Sequence, residues 1–152
     1  MKNANLKGAE LMNMNLSFVS FNGANLIGTW FCHSDLIGAD FRNSHIYGTN
    51  FFDANLTDAN FSHLSLKKES CFVGKELSGA NFTCADLTDA NFSGANLTGA
   101  NFSGANLTGA NFIGANLTGA NFIGANLVNT DLKQAVLTSA NFEGVCLSRV
   151  HL

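Results

Sequence analysis

The stretch from Ala90 to Gly124 reads ANFSG ANLTG ANFSG ANLTG ANFIG ANLTG ANFIG, seven groups of five residues with the same order of residue types. The large apolar residue of each group, here called the centre, recurs every five residues from Leu6 to Leu66 and again from Phe72 to Leu152. All 30 centres are Leu, Phe or Ile. The step from Leu66 to Phe72 is six residues. One tandem repeat therefore spans the chain and predicts a single domain over residues 1–152.

The other positions of the repeat also have a fixed chemistry. The residue two before the centre is Ala in 18 of 30 repeats, and the residue directly before it is Asn in 16 and Asp in 4. All 15 glycines lie two residues after a centre. A five-residue period fits neither a helix with 3.6 residues per turn nor a long strand with a period of two. It predicts a chain that turns a corner once per repeat, with Gly at the corner because several turns need a positive φ.

The repeat resembles that of the pentapeptide-repeat family, whose signature is a small residue, Asn or Asp, a central Leu or Phe and two variable residues. Residues 105–109, Ala-Asn-Leu-Thr-Gly, have this pattern, and the resemblance covers essentially the whole chain. It implies the all-β fold of that family, a right-handed quadrilateral parallel β-helix with four repeats per coil and about 7.5 coils in all. The extra residue between Leu66 and Phe72 is then expected to form a one-residue bulge that leaves the coils in order.

A four-sided coil predicts the contents of the interior. The centre and the small residue two before it should point inward and leave no cavity, and Asn before the centre should stack with its counterpart one coil away. Because Phe and Leu alternate as centres, Phe should fill two opposite columns. The first column would hold Phe21, Phe41, Phe61, Phe82, Phe102, Phe122 and Phe142; the second would hold Leu11, Phe31, Phe51, Phe72, Phe92, Phe112, Leu132 and Leu152.

Charge and composition argue against several classes of protein. The chain has 8 Lys and Arg against 11 Asp and Glu, and a net charge of -3 is too mild to predict binding to nucleic acid or to an anionic membrane. No apolar run approaches the roughly 18 residues of a membrane helix. The four cysteines, at 32, 71, 84 and 146, are too scattered for a disulfide framework and indicate reduced thiols. We therefore expect a soluble cytoplasmic protein.

Neither a catalytic nor a metal-binding constellation is evident. A solid rod offers no concave site with convergent polar groups, and the four histidines occupy outward positions on different coils. His63 and Cys84 would lie about 5 Å apart on successive coils, but two ligands do not complete a zinc site. We predict no catalytic residue, no cofactor and no metal.

The first half of the chain departs from the consensus and offers a candidate partner surface. Grouped aromatic residues that face water suggest such a surface, although scattered exposed apolar residues are also normal. The candidate residues are Met12, Phe18, Ile27, Trp30, Cys32, Ile37, Tyr47, Phe52 and Val73.

Three functions fit these features. The leading one is a non-catalytic structural module that binds an unknown protein partner through a rigid rod. The family implies a second, mimicry of duplex DNA in order to bind DNA gyrase, which needs dense carboxylates that the second half lacks. A third is binding to ice through the hydroxyl column of Thr57, Ser78, Thr98, Thr118 and Thr138. Open coil ends also suggest end-to-end self-association.

Overall fold

The computed structural model describes residues 1–66, 72–145 and 147–152. Within these ranges the backbone forms neither a helix nor a continuous strand. Each repeat instead contributes one residue to a parallel β-bridge, and a two-residue turn follows the centre. Bridged residues are twenty positions apart, as in Asn5 with Asn25 and Asn81 with Asn101. The chain is therefore a parallel β solenoid in which stacked positions are separated by four repeats.

Four ladders of bridging residues run along the solenoid, and each ladder uses the residue directly before the centre. The first ladder holds Asn5, Asn25, His45, Ser65, Asp86, Asn106 and Asn126. The second holds Glu10, Trp30, Asn50, Asn91, Asn111, Asp131 and His151. The third holds Asn15, Asp35, Asn55, Glu76, Asn96, Asn116 and Val136, and the fourth holds Ser20, Asp40, Asn60, Asn81, Asn101, Asn121 and Asn141.

The corner of each repeat is a turn with one left-handed residue. The N–H three residues after the centre donates to the carbonyl of the centre, as from Ala100 to Leu97 at 3.0 Å. All 15 glycines have φ between 62° and 70°, which confirms the predicted corner position. Fourteen other residues take the same position with φ between 53° and 60°. A turn in which the third residue alone has a positive φ is of type II.

Two columns of phenylalanine rings form the predicted core. Rings within a column are stacked, for example Phe82 on Phe102 with centroids 5.1 Å apart. Rings of the two columns meet edge to face, as Phe92 and Phe102 do at 5.9 Å. Both arrangements are preferred by aromatic quadrupoles. The columns keep their order past the six-residue step, as the stacked pair of Phe61 and Phe82 shows.

The inward position two before the centre is lined mainly by buried alanine, as predicted. Ser44, in this position, donates its hydroxyl to the Phe41 carbonyl of its own coil at 2.6 Å. At four other positions where Ser or Thr replaces Ala, the hydroxyl donates to the carbonyl of a centre on the preceding coil. These bonds run from Thr29 to Leu6 (2.7 Å), Ser34 to Leu11 (2.8 Å), Thr49 to Leu26 (2.9 Å) and Thr130 to Leu107 (2.9 Å). Every buried side-chain polar atom in the described ranges has a hydrogen-bond partner.

Asparagine before the centre acts mainly within its own turn, which differs from the predicted stacking between coils. The side-chain oxygen of Asn101 accepts from the backbone N–H and the hydroxyl of Ser103, at 3.0 and 2.6 Å. The same arrangement recurs along the chain because a short amide side chain reaches a backbone N–H two residues on. An amide contact between coils does join Asn126 to Asn106, at 3.3 Å.

The six-residue step shifts the register of the bridges by one residue. Asn55 pairs with Glu76, Asn60 with Asn81 and Ser65 with Asp86, each 21 positions apart. Beyond this step the spacing returns to twenty. The predicted bulge itself, at residues 67–71, lies outside the described residues. In the part of the chain that the structure describes, no helix is long and apolar enough to span a lipid bilayer.

Candidate interaction surface

Three aromatic side chains lie exposed near the second ladder and are here called the aromatic patch: Trp30, Tyr47 and Phe52. Their exposed fractions are 49%, 72% and 60%. Asn50, which bridges to Trp30, is three residues from Tyr47 and two from Phe52. The repeat therefore brings the three residues onto two successive coils. Met12 and Val73 extend the column of Phe52 and are partly exposed.

Phe18 and Ile37 belong to a different part of the surface. Phe18 occupies the corner after the third ladder, and its N–H donates to the carbonyl of Ile37 at 2.7 Å. The Phe18 ring covers Gly38 so closely that a Cβ at Gly38 would lie 2.6 Å from two ring carbons. Phe18 is 77% exposed, whereas Ile37 is half-buried. The candidate residues thus form two separate groups.

Cys32 was predicted to be part of an exposed surface, but it is buried, with only 7% exposure. By residue number it lies in one column between Met12 and Phe52, one coil away on either side. The Phe52 ring leans toward the coil of Cys32, where it meets the ring of His33 edge to face at 5.5 Å. Ile27 is half-buried and contributes less surface than predicted.

Charged side chains outside the candidate set lie around Phe52. His33 Nδ1 lies 3.0 Å from Asp53 Oδ2, with both side chains exposed. Lys75 Nζ lies 5.4 Å from the centroid of the Phe52 ring, within the range of a cation–π contact. His33 and Asp53 occupy equivalent corners one coil apart, so the twenty-residue spacing could have predicted their pairing.

Further carboxylates are also engaged with neighbours. Arg42 donates to both oxygens of Asp40 at 2.9 Å, and this hydrogen bonding lowers the pKa of Asp40 below its ordinary value. Burial alone would raise the pKa of Glu76, but hydrogen bonds from Ser78 and Asn96 outweigh it and leave that pKa lowered. Asp131 lies 3.6 Å from Lys133. These contacts leave the carboxylates locally neutralised or hydrogen-bonded.

The surface has open clefts where a solid rod was expected. One, of about 230 Å³, is lined by Ile27, Ser44, His45, Ile46, Tyr47, Ser65 and Leu66. Another, of about 270 Å³, is lined by Phe52, Asp53, Ala54, Gly74, Lys75 and Glu76. A third, of about 290 Å³, is apolar and lined by Leu132, Leu137, Phe142, Leu147, Val150 and Leu152.

Cysteine and histidine side chains are dispersed over the described residues. Cys32 is a buried free thiol and Cys84 an exposed one, while Cys71 and Cys146 lie outside the described residues. His63 and Cys84 both occupy corners with a positive φ. The described ranges contain no group of three or more His, Cys, Asp or Glu side chains that could hold a metal ion.

Four of the five hydroxyls of the threonine column are hydrogen-bonded within their own repeats. Thr57, Thr98 and Thr118 each donate to the Asn two residues earlier, at 2.7 to 2.8 Å. The Ser78 hydroxyl donates in the same way to Glu76. The donor of each of these hydroxyls is therefore directed to the protein rather than to an outside surface.

A family model for pentapeptide repeats matches the chain in eight copies, over residues 1–36, 34–68, 68–99, 85–122 and 115–152. The chain belongs to the pentapeptide-repeat family. No curated protein sequence matches this pentapeptide-repeat chain.

Solved structures similar to this pentapeptide-repeat chain include HetL, a pentapeptide repeat protein involved in heterocyst differentiation regulation from the cyanobacterium Nostoc sp. strain PCC 7120. HetL is 24% identical over 99% of this chain and 90% of its own, with a TM-score of 0.30. Full-length QnrB1, a plasmid-mediated fluoroquinolone resistance protein, is 21% identical over 99% and 89%, with a TM-score of 0.47. Rfr23 from the cyanobacterium Cyanothece 51142 is 24% identical over 98% and 88%, with a TM-score of 0.26.

Proposed function

We propose that this chain is a non-catalytic structural module that binds a protein partner through the aromatic patch. The module is a right-handed quadrilateral β-helix of about 7.5 coils, the form that four-repeat stacking of 30 repeats favours. The observation that carries the proposal is the exposure of Trp30, Tyr47 and Phe52 on two successive coils.

The backbone gives these side chains a fixed spacing. Asn50 N–H donates to the Thr29 carbonyl at 2.8 Å, and Phe31 N–H donates to the Asn50 carbonyl at 2.8 Å, so bonds on both sides of Asn50 tie its coil to that of Trp30. Aromatic residues lose few rotamers on contact and are enriched among residues that dominate binding energy. A patch held by such a frame needs little reordering on binding.

A capture experiment with matched variants tests this proposal. One variant changes Trp30, Tyr47 and Phe52 to Ser. The control variant also carries three changes to Ser, at the exposed apolar residues Ile113, Ile123 and Val136 of the second half. A partner from the native host should bind the wild type and the control, and the patch variant should bind at least about tenfold more weakly. Equal binding to all three proteins would contradict the proposal.

A further inference from the structure

Stacking of the coils is weakened at one boundary, where residues 41–60 meet the coil that follows. A regular first ladder would place two backbone bonds between Ser65 and the preceding coil, from Ser65 N–H to Ser44 O and from Ile46 N–H to Ser65 O. Both are absent among the described residues, although the equivalent bonds of Asn25, at 2.8 and 2.9 Å, are present.

The third ladder is weakened at the same boundary. Leu56 N–H donates to Glu76 O at 3.1 Å, whereas the equivalent bond at the other described centres measures 2.7 to 2.9 Å. The second backbone hydrogen bond of this bridge, from Glu76 N–H to Ala54 O, is absent within the described ranges. In the fourth ladder both backbone hydrogen bonds are present at the ordinary length, from Phe61 N–H to Asn81 O at 2.8 Å and from Asn81 N–H to Ala59 O at 2.9 Å.

Packing across this boundary is also looser in one of the two phenylalanine columns, whereas Phe61 and Phe82 of the other column stay at the ordinary 5.2 Å. The rings of Phe51 and Phe72 are 6.4 Å apart, while the other stacked pairs of the two columns lie 4.9 to 5.5 Å apart. The cleft of about 270 Å³ lies between residues of these two coils, and the cleft of about 230 Å³ is lined by both coils and by Ile27 of the coil before them. Dispersion energy falls steeply with such gaps, so the boundary contributes less to stability than a regular coil interface does.

A cation–π contact spans the boundary. Lys75 takes the inward position two before a centre, where the regular repeat has Ala, and its side chain is half-buried. Its ammonium lies 5.4 Å from the centroid of Phe52 on the preceding coil. This contact joins the two coils on the side where the third-ladder bonds are weakened.

We infer that this boundary is a point of local opening, held closed in part by the contact between Lys75 and Phe52. The stability of a repeat protein is approximately the sum of its repeats and of the interfaces between neighbours, so the weakest interface opens at the lowest free energy. The solenoid then behaves as two segments that separate at this boundary before either unfolds. The inference does not depend on the proposed partner binding.

Native-state hydrogen exchange of the full chain tests whether this boundary opens locally. The amide of Leu56, which donates across the boundary, should exchange at least about tenfold faster than that of Leu97, which makes the same bond between regular coils. Leu36, nearer the N-terminus, serves as the control for fraying and should also exchange more slowly than Leu56. Equal rates, or rates that rise steadily toward the N-terminus, would overturn the inference.

Two lysine variants test the contact itself. Lys75→Met removes the charge and keeps the length of the side chain, and it should speed exchange at Leu56 by a factor on the order of three while leaving Leu97 unchanged. Lys133→Met, which alters a lysine paired with Asp131 far along the chain, should leave Leu56 unchanged. Unchanged exchange at Leu56 in the Lys75→Met protein would overturn the role of this contact.

Discussion

Phe102 is representative of the phenylalanine residues that form the core. Its ring is fully buried, stacked between Phe82 and Phe122 at 5.1 and 5.0 Å. We expect Phe102→Ala to lower the free energy of unfolding by about 3–5 kcal/mol, because it removes buried area and leaves a cavity that neighbouring coils cannot fill. Urea denaturation measures this change. Ile113→Ala, at an exposed position, should lower it by less than about 1 kcal/mol, and equal effects would contradict the account.

Phe18 combines a bulky side chain with a φ of 60°. A left-handed conformation costs about 1–2 kcal/mol in a residue with a Cβ, and the exposed ring recovers little of this by burial. Phe18→Gly should therefore raise the free energy of unfolding by about 1 kcal/mol. The reverse change at the open corner, Gly28→Phe, should lower it. Destabilisation by Phe18→Gly, measured in urea, would show that the contact of the ring with Gly38 outweighs the backbone strain.

Side chains that follow the period were predictable, and those that depart from it were not. The two phenylalanine columns and the left-handed corners follow from residue number alone. Cys32 was expected to be exposed because it directly follows a centre, and the period contains no information on how far neighbouring side chains shield such a position. Lys75 occupies an inward position by number, so nothing in the period indicated that its ammonium reaches Phe52.

The coil interface is the element that holds the solenoid together. The buried Thr130 hydroxyl donates to the Leu107 carbonyl at 2.9 Å across this interface. We expect Thr130→Val, which keeps the shape of the side chain, to lower the free energy of unfolding by about 1 kcal/mol or more because it removes that bond. Thr118→Val changes a partly exposed hydroxyl bonded within its own repeat and should have a smaller effect in urea denaturation. A reversed order would contradict this interpretation.

The third ladder contains two acidic residues in place of Asn, Asp35 and Glu76, and Glu76 gives the coil interface a pH dependence. Asn96 donates to both carboxylate oxygens of Glu76, at 3.0 and 2.8 Å. The pKa of Glu76 is lowered in the folded protein, so its stabilising effect is complete above its ordinary value of 4.5. This effect is lost as the pH falls below that value and passes through the lowered pKa.

Glu76→Gln should therefore flatten the fall in stability between about pH 5 and pH 3, because the residue no longer titrates. Urea midpoints across this range measure the change. Glu143→Gln, in which the carboxylate is exposed, is the matched control and should retain the slope of the wild type. If both variants keep that slope, Glu76 is not the source of the acid sensitivity.

For the molecule as a whole, the loss of stability caused by a deletion should depend on the register that the deletion leaves more than on the number of residues that it removes. Deleting residues 97–116 takes out twenty residues and leaves every remaining phenylalanine in a phenylalanine column. Deleting residues 107–111 takes out five and places Phe112 where a leucine column stood. We expect the shorter deletion to lower the melting temperature more, because overpacking and cavities arise at every later level. Thermal melting followed by circular dichroism compares them, and a lower melting temperature for the longer deletion would contradict this expectation.

The bridge spacing makes residue number a spatial coordinate in this protein. Stacked neighbours of a residue are found by adding or subtracting twenty, or twenty-one where the pair spans the step after Leu66. Each such move is a translation of about 4.8 Å along the solenoid. Two groups can thus be set at a chosen separation on its surface by choosing their numbers, so the chain can serve as a molecular ruler whose single offset is known.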